Sequence, residues 1–246
     1  MTRKLIKWML IASLLLLLVA WWRSDALPGN AELASALLDE PLQVANKQPA
    51  FSVLSKSVTY TVQPLYDYDL YGLVVSKHDA DTWWDYLHRE WNDSLNIVDL
   101  CVVWGNNLRS MAYTDIDFSS GQFTCNFSTR SNQAYAAFDQ TAISNNHLLT
   151  DNPALAKIMR AVRVGDQIHF HGRLSEYAHQ QGFNFKRGTS TVRTDSGNGA
   201  CETVFVESFE ILKTGGQPWR KLIWLAGALL LLCMVIWVVQ PVRFDD

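Results

Sequence analysis

"VGDQIHFHGRL", residues 164–174, opens the most strand-like part of this 246-residue chain, and its reading decides the fold. Gly165-Asp166 closes a helical pattern, and an extended one follows. Side chains two apart in a strand share a side, so His169, His171 and Arg173 project one way and Ile168, Phe170 and Leu174 the other. Two further strand stretches follow at 183–194 and 200–212, with "HQQG" and "DSGNG" as the turns. Short turns between consecutive strands predict antiparallel pairing. "DSGNG" supplies residues that tolerate positive φ, so the 188–207 stretch reads first as a hairpin and only second as a reactive loop.

Upstream, "TDNPALAKIMRAVRVGD" predicts a helix capped by Asp151 or Asn152, with Pro153 in the first turn. Its apolar stripe is Leu155, Ile158, Met159 and Val162. "SSGQFTCNFST" alternates Phe123, Cys125 and Phe127 with polar neighbours, the period of a half-buried strand, and 97–104 reads as a buried strand. Trp84, Leu87 and Trp91 recur at helical spacing and predict a helix from Asp79 or Asp81 to Trp91. Strands are expected at 58–62 and 70–76, separated by the Tyr-rich "PLYDYDLYG", and a short amphipathic helix at 31–38. The fold class that follows is α+β: a mainly antiparallel sheet or a small OB-like barrel with two covering helices, flanked by two transmembrane helices.

The ends carry the membrane signal. Residues 5–22 are apolar apart from Lys7 and Ser13, and 222–240 carry no charge. Roughly 18–20 helical residues cross the hydrocarbon core of a bilayer. Trp21, Trp22 and Trp219 sit where indole rings anchor at the headgroups. The first segment also has the parts of a cleaved signal peptide: a basic start, an apolar run, and "SDA" at 24–26. Read as an anchor, Arg3, Lys4 and Lys7 hold the amino terminus in the cytoplasm, which places both termini there and the centre outside. The organisation expected is an anchor at 1–23, a juxtamembrane segment at 24–57, an extracytoplasmic domain at 58–213, a linker at 214–221, a second span at 222–240 and a cytoplasmic tail at 241–246.

Between residues 24 and 218 stand 14 Lys and Arg against 22 Asp and Glu, and all six His. An acidic domain is a poor match for nucleic acid, whose affinity rests on neutralising phosphates. Cys233 lies in the second span, which leaves three Cys in the domain and at most one internal disulfide. A bridge between Cys101 and Cys125, on neighbouring strands, is expected, with three buried thiols as the alternative. No cofactor motif is present.

Three constellations could carry chemistry. His169 and His171 form a His-x-His pair, but zinc needs a third ligand and Arg173 shares their face, so no metal is assigned. "SNNHLLTDNP" places His147 among Asn and Asp, which also make turns and caps. The third is Arg193, Asp195 and Cys201 around the glycine loop. Tyr66, Tyr68 and Tyr71, with Trp83 and Trp84, are contact candidates, since Tyr and Trp dominate interface hot spots.

The blocks "VDLCVVWGNN", "DFSSGQFTCNFST", "SNNHLLTDNP" and "FKRGTSTVRTDSGNGACETVFVE" resemble segments of an uncharacterised bacterial family of membrane-anchored proteins, over most of residues 60–212. The resemblance implies an inner-membrane setting with the domain in the periplasm, and no activity. The function expected is a non-enzymatic interaction domain that meets a protein partner in an envelope assembly. The alternative is an envelope hydrolase or transferase with a pocket around His147 and the 193–201 loop.

Overall fold

The computed structural model describes residues 3–182 and 184–240. The chain divides into two compact units. The first holds helices α1 (Arg3–Arg23) and α6 (Trp219–Val239), both long and apolar enough to cross a membrane by length and composition. They run antiparallel, with the Arg3 guanidinium donating to the Gln240 carbonyl at 3.0 Å and Arg220 to the Ser24 carbonyl at 3.0 Å. Gly216, at φ +64°, lets the chain turn there, since a Cβ would fall 1.8 Å from the Ser24 oxygen.

The second unit, Leu27–Thr214, contains strands β1 (Leu42–Ala45), β2 (Phe51–Ser55), β3 (Val58–Asp79), β4 (Asn96–Val103), β5 (Asp117–Gly121), β6 (Thr124–Ser128), β7 (Ile143–Leu149), β8 (Gln167–His179), β9 (Phe185–Arg187) and β10 (Cys201–Lys213). Four helices join them: α2 (Leu87–Glu90), α3 (Asn106–Ser110), α4 (Asn132–Ala137) and α5 (Pro153–Ala161). Eight strands form one sheet in the order β1-β3-β4-β7-β10-β8-β9, with β2 also on β3 and a further pairing of β3 with β8. β5 and β6 make a separate hairpin.

The fold departs from the expected class. Among the described residues there are six α-helices rather than two covering helices and two spans, and β7 and β10 pair in parallel, Thr203 opposite His147. The sheet is an eight-stranded mixed one that keeps edges at β1, β2 and β9, not a small OB-like barrel. Its spine is β3. Where two strands were expected around a tyrosine loop, one strand of 22 residues runs through, because Val58, Tyr60 and Val62 alternate inward and Tyr68 and Leu70 continue the pattern. Pro64 falls at a register shift against β8, the kind of irregularity that accommodates proline. Gly172 is required where β8 meets β10, since a Cβ would lie 2.4 Å from the Phe205 carbonyl oxygen.

β4 and β7 are buried throughout. One face packs on the main core: Val98, Leu100, Val102 and Leu148 with Tyr68, Phe170 and Met159. The other lies under the β5–β6 hairpin and neighbouring turns, with Cys101 and Val103 against Tyr113 and Phe138. The helix α5 forms as its sequence dictates: Asn152 Oδ1 accepts from the Ala154 amide at 2.9 Å, Pro153 fills the first turn, and Met159 faces the core. The long helix expected from Asp79 to Trp91 is only α2, and the amphipathic helix at 31–38 is two 3₁₀ turns. The strand expected at 183–194 is regular only in β9, and residue 183 lies outside the described residues.

Candidate functional site

Asp99 and Cys101 point from β4 to the hairpin side, and antiparallel pairing sets Asp99 opposite His147 and Cys101 opposite Asn145. Cys101 bonds Cys125 of β6, so the expected disulfide is present, and it fastens the hairpin over this face. "SSGQFTCNFST" is therefore two strands and a turn, not one strand. Phe123 takes φ +63° at that turn, unusual for a bulky residue. Its ring lies 4.2 Å from His88, 5.2 Å from Trp91 and 5.9 Å from His147, with the Arg187 guanidinium 3.9 Å over its face.

Beneath it, Asp99 and His147 are fully buried. Asp99 Oδ1 accepts from His147 Nδ1 at 2.7 Å and from Asn96 Nδ2 at 2.8 Å. Arg187 donates to His147 Nε2 at 2.7 Å, which fixes the imidazole proton on Nδ1. Burial, outweighing the Asp99 carboxylate, holds the His147 pKa below its ordinary 6.5. Burial pushes Asp99 upward, but His147 and Asn96 prevail and hold it at about 2. The pair is thus an ionised carboxylate and a neutral imidazole.

A cavity of about 410 Å³ adjoins the pair, lined by Phe123, Asn145, His147, Arg187, Ala200 and Cys201 among others. Asn145 is 2 % exposed, and neither its Oδ1 nor its Nδ2 has a hydrogen-bond partner. A buried amide left so is costly unless something fills its donor and acceptor. Cys201, raised to about 11 by burial and then by Glu202, is a thiol at neutral pH and a poor nucleophile.

The remaining candidates sit elsewhere. Arg193 turns to the inner side of the sheet, pairing with the buried Glu202 and bonding Gln43, and lies 5.3 Å over the Tyr68 ring. Asp195 accepts from the Ser190 hydroxyl. Neither lines the His147 cavity, so only Ala200 and Cys201, with Gly197, bring the 193–201 loop to it. The loop is not a hairpin between paired strands, because β9 lies on β8 while β10 runs between β7 and β8. His169 and His171 are engaged by Asp69, Glu207 and Glu210. Of the contact candidates, Tyr68 is buried in the core, Tyr66 packs beside it, and Tyr71 stacks on His169 at 3.9 Å. Trp83 and Trp84 are the open ones, 85 % and 49 % exposed. "SNNHLLTDNP" is chiefly strand β7 and not a turn; only its last residues cap a helix.

A second cluster was not foreseen. His78 at the end of β3, Asp85 in the following turn and His88 in α2 are all buried, and their ligand atoms lie within 4.8 Å of one another. Asp85 Oδ2 is 2.6 Å from His78 Nε2 and 2.5 Å from His88 Nδ1. Two imidazoles and a carboxylate are a set that can hold a metal ion. It runs on to the first cluster, since Asn96 Nδ2 donates both to His88 Nε2 at 3.0 Å and to Asp99. This buried constellation overturns the expectation of a non-enzymatic interaction domain: it is the equipment of a binding or catalytic pocket. Asp99 inside the apolar run "IVDLCVVW" was the visible signal, whereas His78 and His88 were hidden by the helix reading of 79–91.

No family model matches the chain, and neither does any curated protein or solved structure.

Proposed function

We propose that the Leu27–Thr214 unit is an envelope hydrolase, acting in the cavity beside His147. The observation that carries this reading is the Asp99–His147–Arg187 series opening on a cavity lined by the unpartnered Asn145. Among the described residues no Ser or Cys side chain is hydrogen-bonded to His147, so water is the nucleophile. His147 Nε2 takes a proton from that water once the substrate draws Arg187 away, while Asp99 keeps the other ring nitrogen protonated and the ring aligned. The water oxygen bonds to the attacked phosphorus or acyl carbon, the ester bond to the leaving oxygen breaks, and the imidazolium returns the proton to that oxygen. Arg187 then faces the negative charge that develops on the attacked group, and Asn145 supplies a donor and an acceptor to the substrate. A guanidinium at the cavity favours anionic substrates such as phosphate esters, and with a neutral carboxylic ester it would meet only the oxyanion that forms on attack. Transfer to an acceptor other than water would use the same base.

The setting we infer is an inner membrane with both termini cytoplasmic and the domain outside. The two apolar helices, the basic Arg3, Lys4 and Lys7, and the disulfide support it. The test is turnover of chromogenic phosphate mono- and diesters and carboxylate esters by the full chain in detergent. His147→Gln and Asp99→Asn should each lower kcat/KM about 100-fold or more, with folding checked by near-UV circular dichroism. Absence of turnover across the panel, or turnover that His147→Gln retains, overturns the proposal.

A further inference from the structure

The carboxylates beneath the hairpin do not balance. Asp85, Asp93 and Asp99 are all buried and linked through His88, Asn96 and His147, while the only guanidinium or ammonium hydrogen-bonded into this series among the described residues is Arg187. Removing uncompensated charge from water is expensive, and buried charges are ordinarily paired or bound to metal. With His78, His88 and His147 counted as neutral rings, the three carboxylates exceed that one guanidinium by two formal charges, an excess that a divalent cation held by this donor set would offset.

We propose that His78, Asp85 and His88 form a binding site for a divalent cation of the zinc class. The donor set, two imidazoles and one carboxylate on a strand end, a turn and a helix, suits zinc better than calcium or magnesium, which take oxygen ligands. On binding, the cation replaces the two contacts in which the imidazoles lean on Asp85 Oδ2. Each histidine then ligates as a neutral ring and carries its proton on the other nitrogen. For His88 that nitrogen is Nε2, 3.0 Å from the Asn96 side-chain amide, which must turn to accept the proton, and 4.0 Å from Asp93 Oδ2, itself fixed by the Tyr177 hydroxyl at 2.6 Å. A carboxylate behind a ligating histidine is the usual support of such sites. Access is from a cavity of about 230 Å³ lined by Asp81, His88, Asn92 and Asp93. The site is joined to the His147 cluster through Asn96, but zinc binding by it does not depend on the hydrolase reading.

The test uses the full chain in detergent, stripped with a chelator and titrated with zinc. Calorimetry and elemental analysis after dialysis should find one zinc per chain, with a raised Tm. Asp85→Asn and His88→Gln should each lose the bound zinc, while His169→Ala/His171→Ala should keep it, which separates this site from the surface histidines. Should the buried variants fail to fold, X-ray absorption of the zinc-loaded wild type decides. Nitrogen and oxygen neighbours including two imidazoles support the site, whereas sulfur or fewer than two imidazoles overturns it. A folded wild type that binds no zinc, zinc retained by folded Asp85→Asn/His88→Gln, or zinc lost with His169 and His171 also overturns it.

Discussion

Arg193→Met tests whether the arginine of the glycine loop is chemistry or architecture. Its guanidinium is the charged group hydrogen-bonded to Glu202, which is 1 % exposed and has one carboxylate oxygen already without a partner. Methionine keeps much of the side-chain volume, so the dominant effect is a carboxylate stranded in the interior, worth about 3–5 kcal/mol. At about 2–4 °C per kcal/mol for a unit of this size, Tm should fall by about 6–20 °C. Burial already raises the Glu202 pKa above 4.5, so the folded state binds that proton more tightly than the unfolded chain. Its stability contribution therefore declines as pH rises from 4.5 towards the folded value. Loss of Arg193 raises that value further, so the deficit of the variant should widen towards neutral pH and narrow in acid. The assay is thermal unfolding of wild type, Arg193→Met and Arg193→Met/Glu202→Leu from about pH 5 to pH 8, followed by near-UV circular dichroism. The double variant should recover most of the loss, because an apolar pair can replace a buried ion pair. A Tm for Arg193→Met within about 2 °C of wild type at neutral pH, or a deficit indifferent to pH, refutes the reasoning.

Because burial lowers His147 below 6.5, kcat/KM should hold through neutrality and fall only below that value; an acid limb centred above 6.5 removes His147 as the base. The unfolded chain protonates this imidazole first, so stability should also decline as pH falls through 6.5. Cys201, raised to about 11, should alkylate about 100-fold or more slowly than an exposed thiol at pH 7, and Cys201→Ala should retain activity. A fast-labelling Cys201 or an inactive, folded alanine variant contradicts the water mechanism. Replacing Cys101 and Cys125 together with Ser, across a sequence separation of 24, should cost about 3 kcal/mol in denaturant unfolding; no loss would mean that the hairpin is held by packing alone.

What the sequence shows plainly is what local rules govern. Pro153 after Asn152 set the start of α5, and the two uncharged or nearly uncharged runs became the terminal helices. The alternation around His169 placed Phe170 and Leu174 inside as read. What failed depends on partners distant in the chain. The segment from Asp79 to Trp91 has helical spacing, yet regular helix is confined to Leu87–Glu90. Just before it, Asp85 accepts from the His88 amide and meets the His78 and His88 rings, contacts that spacing alone does not reveal. "SNNHLL" is polar, and its burial as a strand is intelligible only once Asp99, Arg187 and Glu202 are seen around it. The parallel β7–β10 pairing leaves no trace in either strand alone.

The crosslink from β4 to β6 has a consequence for maturation. The eight-stranded sheet needs no oxidation to form its ladder, but the flap that carries Phe123 over His147 is fastened by those two sulfurs. A freshly made, still reduced chain would hold His147 and Asp99 in the sheet while lacking a secured roof. Securing that roof would then await oxidation of the two thiols, making redox chemistry the last step of assembly.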